Sequence, residues 1–592
     1  MMMYRAVLEP QPAASLGVSV FRRAQMPVLS HIGVSRPAPR QPALPPRQPA
    51  LPPRVIKRPA SHTAVSAHCG LALGRIAPGQ IPGEVARAAP TGQATGLAGS
   101  PHHAEQPAKH NAAQCGQLLA LPSALQSKLD SWGLSLRQRV ASSRTQWLQQ
   151  HAGGLGVSAS WPPSREKLVV GTDCSGAEAP IWSLRSMGIP HRHVFSCDVS
   201  VAVRKFISEC SPPEGPVYHD MLQRDPAGVP AHSVYVCGFP CTPFSLLRRH
   251  STKLLREPAA KPFFAAVRMI KESLPPLAIL ENVSGIRQVM KYVVGHFVAL
   301  AWYYVLVIPI DSADLGEPVK RPRYYFVLLR RDVAVIQDRQ KLTDFVKAML
   351  TAARAPRVDS IVDRMLPTSH PSVQGYLAQR RGASGVSASR RGGGEPRWIT
   401  HSANYMRSHR LSGPAPGAGA SSDMKGLTTS RAHAAWTLLT RAHPSPNLVA
   451  DVSQNVHRAS VCVDGCTPTI TPRSLIAIKK AGRIMAPVEK ILVHNFPLHK
   501  MRMPKDMTEK EAEDLGGNTM HLASVGLALL IGMAGVDWSA SAAQVGRKPA
   551  GAAPSKEPAI YLGSLASGGQ KSGRKRQMPL PAGRRKARRR SS

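Results

Sequence analysis

Cys241 lies in Cys237-Gly238-Phe239-Pro240-Cys241-Thr242-Pro243-Phe244, on a turn stiffened by two prolines directly after the apolar run Ser233–Cys237. A thiol presented this way at a strand end is a candidate nucleophile. Taken alone it is more simply a structural thiol, since free cysteine is among the most buried residue types. Nucleophilic use demands an electropositive, partly exposed setting, and Arg248 and Arg249 follow closely. Further along, Glu281 in Ala278-Ile279-Leu280-Glu281-Asn282-Val283 is a carboxyl at a strand end that could hold or share a proton. Arg321 and Arg323 precede the strand Tyr324–Leu329 and could bind a carbonyl, a phosphate or a packing carboxylate. Upstream, the strand Leu168–Thr172 runs into the small-residue turn Asp173-Cys174-Ser175-Gly176, where backbone can approach a ligand closely. Asp198 follows the apolar run His193–Cys197, and Asp220 follows Tyr218-His219. Acids that each terminate an apolar segment in turn support one cleft at the carboxyl edge of a sheet.

The elements that must position these groups follow from periodicity. From Lys167 to about Val335 apolar strands alternate with helical stretches, the pattern of βαβ units and a parallel sheet. Two apolar runs could be confused with membrane spans. Tyr292–Ile310 is interrupted by His296 and ends in the aromatic and β-branched Trp302–Ile308, which predicts the end of a helix and then a buried strand. Ala523–Val536 is too short to span. Leu125, Leu129, Trp132, Leu136 and Val140 predict one isolated amphipathic helix within Ser123–Gln150. Residues 336–450 read as irregular, with mobile basic loop around Arg380-Arg381-Gly382 and Arg390-Arg391-Gly392, and order returns near Asp451. A glycine-asparagine turn at Gly517-Asn518 is expected to lead into a buried apolar helix starting near Thr519.

Composition bounds the partners. The 592 residues carry a formal net charge of +41, far beyond what solubility needs, which points to a polyanion bound through phosphate neutralisation. Basic disordered tails account for part of that excess. The first 120 residues are rich in Pro, Ala, Arg and His, with a tandem repeat of Arg-Gln-Pro-Ala-Leu-Pro-Pro over 40–53 that should be extended chain. The acid-poor N-terminus could serve as an organelle transit peptide. Lys571–Arg590 holds ten basic residues and no acid, and reads as a nuclear-import or nucleic-acid-contacting tail. Nine scattered cysteines without paired CxxC clusters signal neither a zinc site nor a disulfide framework, so reduced intracellular thiols are expected.

Taken in this order, the Asp173–Glu178 turn, the Pro240-Cys241 turn, Glu281-Asn282-Val283 and Arg321-Pro322-Arg323 resemble the cytosine-5 DNA methyltransferase family. The resemblance implies an α/β fold, a Rossmann-like sheet of the S-adenosylmethionine-dependent methyltransferases, with a smaller irregular target-recognition region and disordered basic tails. It implies methyl transfer from S-adenosylmethionine to carbon 5 of cytosine in duplex DNA, with the target base flipped out of the stack. By residue, it implies catalytic roles for Cys241, Glu281 and Arg323. It implies cofactor contacts from Asp173, Cys174, Ser175, Gly176, Asp198, Asp220 and Asn518, and substrate contacts from Pro240, Asn282 and Arg321, with no metal. The expected organisation is a low-complexity, mostly disordered region over 1–165 and a catalytic domain over 166–335. A target-recognition region over 336–505, a completing helix over 506–540 and a basic disordered tail over 541–592 follow. The sequence departs from the family at Cys174, at Glu178 near its second glycine, at Thr242 and Val319 where glutamine is usual, and in Leu246–Pro262, which lacks the glycine-rich closing loop. A transfer-RNA cytosine methyltransferase of the same fold, or a catalytically silent DNA- or chromatin-binding relative, are the alternatives. A nuclear location follows from the tail, and no membrane association is expected.

Overall fold

The computed structural model describes residues 118–151, 161–244, 255, 257–383, 396–417, 419–541 and 557–563. The repeat over 40–53, the basic N-terminus, Arg248 and Arg249, most of 246–262, the loop at 390–394 and the tail from Lys571 lie outside the described residues.

The expected α/β sheet is present. After α1 (Ser123–His151) the chain alternates β1 (Val169–Asp173), α2 (Ala179–Ser186), β2 (Arg192–Cys197), α3 (Val201–Cys210), β3 (Val217–Tyr218), β4 (Val234–Cys237), α4 (Lys261–Ser273), β5 (Leu277–Val283), α5 (Met290–Val298), β6 (Tyr303–Ile310) and β7 (Arg323–Arg330). With β12 (Ile560–Tyr561) these strands form one eight-stranded sheet ordered β12-β6-β7-β5-β4-β1-β2-β3. Neighbours among β1 to β5 are parallel, while β7 runs antiparallel between β5 and β6. The β3-β2-β1-β4-β5 half therefore has the doubly wound order, in which ligands bind beyond the carboxyl ends of the strands. Tyr292–Ile310 resolves as anticipated into α5 and the buried β6.

Alternation decides which face each strand residue joins. Val234, Val236, Leu277 and Ile279 pack with α1, α2 and helices further along the chain, whereas Tyr235, Cys237, Ala278 and Leu280 pack with α4 and α5. The helix α1 is not isolated: Leu125, Leu129, Trp132, Leu136 and Val140 are all buried, and the helix packs on α2, α6 (Arg339–Ala353) and α12 (Leu522–Ala534). Nor are the described residues of 336–450 irregular: helices occupy 339–353, 371–383, 397–409 and 430–442, and Arg380-Arg381-Gly382, expected in a mobile loop, lie in the second of them. In α6 Leu342, Phe345, Val346, Met349 and Leu350 recur at helical spacing and are buried.

A second region follows with α7 (Pro371–Ala383), α8 (Arg397–His409), α9 (Ser430–Ala442) and four short antiparallel strands, β8 (Val449–Asp451), β9 (Ser460–Cys462), β10 (Ile476–Ile478) and β11 (Arg483–Ile484), ordered β11-β10-β8-β9. It joins the first through Val319, which is fully buried against Ile361, Ile470, Ile476 and Met485 and bridges Thr467. Lys320 N donates to the Thr467 carbonyl at 2.9 Å, and Thr467 N to that of Pro318 at 2.8 Å. An apolar side chain at 319 thus fits the seam.

The chain returns through α10 (Pro487–Leu492) and α11 (Glu509–Asn518) to α12. All thirteen residues of α12 are buried, between α1, α2 and strands β5 and β7, which is why it is apolar on every side. The stretch Glu509–Ala534 is long and apolar enough for a membrane span by composition, yet 94% of its apolar window is buried inside the fold. The expected turn at Gly517-Asn518 is not there: both residues belong to the last turn of α11, and α12 begins three residues later than expected, capped by His521, whose Nδ1 accepts from Ala523 N at 3.2 Å. Close packing explains the glycine, since a Cβ on Gly517 would lie 2.1 Å from Pro472 N. Gly517→Ala is therefore expected to destabilise the protein by about 1–3 kcal/mol, although alanine is the better helix former. Denaturant unfolding with an unchanged midpoint would show that the contact yields freely.

Residues 557–563, counted above with the basic tail, instead add β12 beside β6. Ala559, Ile560 and Leu562 are buried, Glu557 pairs with Arg331 at 3.1 Å, and Leu562 N donates to the Val307 carbonyl at 3.1 Å. Three apolar residues in seven suffice because an open sheet edge supplies the backbone partners.

Candidate active site

Parallel strands end on the same side of a sheet, and β7 begins where β5 ends, with Val283 opposite Arg323. Asp173, Asp198, Asp220, Cys241, Glu281 and Arg323 consequently all stand at one edge. Two clusters divide it.

The first gathers Cys241, Glu281 and Arg323. Cys241 is half-buried in the turn after β4, which is fixed from two sides. The Asn282 amide donates to the Phe239 carbonyl at 2.9 Å, and the Phe239 ring packs on Phe244 and Phe263. Glu281 Oε1 pairs with Arg323 Nε at 2.9 Å, both side chains nearly buried. Arg323 Nη1 also donates to the Pro322 carbonyl at 2.9 Å, which orients the guanidinium. Burial pushes the Glu281 carboxyl above its ordinary range while Arg323 beside it draws it back. Burial and then the Glu281 charge push the Cys241 thiol up, against the pull of Arg323 and Arg321. Among the described residues burial favours the thiol over the thiolate beside an ion pair, while Arg248 and Arg249, on which an electropositive setting was expected to rest, lie outside them. Pro240 is half-buried beside it and Thr242 is exposed.

The second cluster is the turn between β1 and α2. Cys174, Gly176 and Glu178 all have left-handed backbone, with φ of 48°, 53° and 55°. Gly176 N donates to Asp198 Oδ2 at 3.1 Å, and Ser200 N to Asp198 Oδ1 at 2.9 Å. Ser175 Oγ accepts from Cys197 N at 3.1 Å, and Ser175 N donates to the Cys197 carbonyl at 3.1 Å, so the turn is stitched to the end of β2. Burial raises the Asp198 carboxyl, with the amides of Ser200 and Gly176 opposing it. Half-buried Asp220 accepts from Leu222 N at 2.9 Å. Space is open beyond Gly176, where an added Cβ would meet nothing within 4 Å. Val199 and Val201 stand 73% and 70% exposed beside Asp198, an apolar rim next to a carboxylate.

Of the residues expected at ligands, Asp173, Asn282 and Arg321 are bound to partners within the fold, and Asn518 is exposed. Asp173 is 1% exposed, and its carboxylate accepts from Arg224 Nη1 and Nη2, at 2.9 and 2.7 Å, and from the Tyr235 hydroxyl at 2.7 Å. Asn282 is fully buried on the Phe239 carbonyl. Arg321, 3% exposed, donates to the carbonyls of Ile470, Gly517 and Thr519 at 2.8, 3.1 and 2.5 Å, clamping the second region and the C-terminal helices to the sheet. Asn518 is exposed at the end of α11. In each buried case a polar group next to the cleft satisfies main-chain or ionic partners that folding would otherwise leave bare. Sequence reading missed Met520, whose Cε would lie 2.6 Å from a Cβ on Gly238 and which therefore reaches the floor between the clusters. It also missed Arg224 and the buried Glu178. A buried charge at Asp173 implies a partner, but nothing in the sequence says which arginine provides it.

Residues 184–393 match the family model of the C-5 cytosine-specific DNA methylases, and the resemblance read from the motifs holds over that stretch. The chain is similar to the DNA (cytosine-5-)-methyltransferase DMT5 of Verticillium dahliae, 26% identical over 232 residues, 27% of this chain and 10% of that protein. It is similar to the Type II methyltransferase M.HhaI of Haemophilus parahaemolyticus, 28% identical over 148 residues, 23% of this chain and 43% of that one. The matched stretch thus spans less than half the length of these curated relatives. Among solved structures, the S. pombe Dnmt2 methyltransferase aligns over 61% of this chain and 98% of its own, with a TM-score of 0.34 and 13% identity.

Proposed function

We propose that this chain is a DNA (cytosine-5-)-methyltransferase that acts through a covalent adduct at Cys241. The observation carrying the proposal is the placement of Cys241 beside the Glu281–Arg323 pair, at the same sheet edge as a turn tied to Asp198. Carbon 5 of cytosine is a poor nucleophile, so the ring must first be activated. The Cys241 sulfur adds to carbon 6, and the negative charge that spreads onto the ring is met at N3 by a proton shared with Glu281. Arg323 holds that carboxyl in place and faces the base carbonyl. The addition needs the thiolate, so the Cys241 thiol, which burial keeps protonated, must first pass its proton to solvent before the sulfur electron pair bonds carbon 6. Once methyl is on carbon 5, loss of the proton from that carbon expels the sulfur and restores the ring.

The second cluster fits S-adenosylmethionine, which supplies the electrophilic methyl. Asp198 and Asp220 offer carboxylate oxygens to hydroxyl and amine donors, the Gly176 backbone leaves room for close approach, and Gly238 stands where Met520, the Cys174 carbonyl and Glu281 come together, so the two clusters adjoin. We assign target reading to residues 336–505 and a sequence-independent grip on phosphate to the basic tail, which also suits nuclear import. A base buried in duplex must be flipped out, at a cost of a few kcal/mol.

The deciding experiment is transfer of labelled methyl to unmethylated duplex, hemimethylated duplex and transfer RNA in parallel. Incorporation into DNA at carbon 5 is expected. Incorporation into transfer RNA alone would replace the substrate, and none with any substrate would favour a silent DNA-binding protein.

A further inference from the structure

Glu178 is the least expected residue in the cofactor turn. It is fully buried, at a left-handed position that L side chains adopt only at a cost. Its Oε1 accepts from the Thr172 hydroxyl at 2.8 Å and the Ser196 hydroxyl at 2.6 Å. Thr172 Oγ1 lies 2.7 Å from Ser175 Oγ, so the carboxyl anchors a hydroxyl chain that joins the ends of β1 and β2 beneath the turn. Asp198 holds the same turn from above through Gly176 N.

One cation, Arg185, favours the charged form of Glu178, and burial outweighs it. Among the described residues the Glu178 Oε2 has no hydrogen-bond partner. His193, from β2, lies 3.7 Å from Oε1 and shares Ser196 Oγ at 3.0 Å. Burial, with Arg185 and His191 repelling, holds that imidazole down to about 3, so it is neutral. Arg185, from α2, stacks over the Trp182 ring at 4.7 Å. A buried carboxylate hydrogen-bonded only by neutral hydroxyls, with one oxygen unpaired and Arg185 too weakly coupled to offset burial, is disfavoured against the neutral acid.

We propose that Glu178 is a positioning residue which keeps the cofactor turn closed by carrying a proton, so that cofactor binding is linked to that proton. The inference rests on the reading of this cleft as the S-adenosylmethionine site. Burial raises the carboxyl to about 7, with the Ser196 and Thr172 hydroxyls opposing it. The sign follows: between its ordinary 4.5 and about 7 the folded chain holds a proton that the unfolded chain has lost. Stability therefore declines as pH rises through that window and levels off above it. Above the window the turn must house a bare charge or open.

Two measurements on the full chain test this. Calorimetry with S-adenosylmethionine from about pH 6 to about pH 8.5 should show affinity falling roughly tenfold in the native protein. In Glu178→Gln, which keeps a neutral side chain of the same shape, binding should stay tight and flat with pH. Glu178→Ala should bind weakly throughout. Without cofactor, amide hydrogen exchange over Cys174–Glu178 should rise with pH beyond its intrinsic increase in the native chain and not in Glu178→Gln. The same pH response in both proteins, in both measurements, would overturn the inference while leaving the cofactor site in place. No binding by any variant at any pH, with the exchange difference intact, would instead overturn the cofactor assignment and leave the role of Glu178 standing.

Discussion

Cys241→Ser is expected to lower methyl transfer on the order of 10³-fold or more while cofactor affinity stays near that of the native chain. The two effects separate because the groups at the cofactor cluster hang from the ends of β1, β2 and β3, whereas Cys241 follows β4 on a turn held by Asn282 and Phe239. A hydroxyl is far less ionised than a thiol, and the surroundings of Cys241 already disfavour the anion, through burial and through Glu281. Serine at this position would have no accessible nucleophilic form. Duplex carrying a cytosine analogue that traps the cysteine adduct should form a covalent complex with the native chain and none with the variant. Near-native methylation by Cys241→Ser would remove the residue from the mechanism.

Arg224→Met is expected to destabilise the protein by about 3–5 kcal/mol, because it leaves the Asp173 carboxylate as an uncompensated buried charge. Both side chains of the pair are nearly inaccessible, at 6% and 0% exposure, and only the Tyr235 hydroxyl would still face the carboxylate. The companion Asp173→Asn/Arg224→Met should recover most of that loss, since it removes both charges together. Denaturant midpoints for the native chain, the two single variants and the pair measure this coupling directly. If Arg224→Met unfolded at the native midpoint but lost cofactor affinity, Asp173 would return to the binding site where the motif had placed it. This pair matters for function because Asp173 ends β1, immediately before the cofactor turn.

The alternation of apolar strands with helices over 167–335 and the turn chemistry at Pro240-Cys241 were legible in the sequence, because both rest on local rules. A strand flanked by proline and glycine, or an acid ending an apolar run, has much the same meaning wherever it occurs. The order of the motifs then brought Cys241, Glu281, Arg323, Asp198 and Asp220 to one edge, since parallel strands must end together. The helix α6 was legible too, in the spacing of Leu342, Phe345, Val346, Met349 and Leu350, and a composition-based reading of the basic segment passed over it.

What a polar side chain does at that edge was decided by tertiary structure. Asp173, Asn282 and Arg321 occupy motif positions, yet each is bound to partners between 43 and 198 residues away, and no local pattern specifies such a partner. Gly517 and Asn518 read as a turn because glycine and asparagine permit one, but the backbone of residues 471–472 approaches Gly517 so closely that only glycine fits inside the helix there. Glu178 shows the same limit most clearly. The sequence shows it only as a departure within the turn, and only the closure of β1 against β2 encloses it among hydroxyls, where burial outweighs the pull of Arg185.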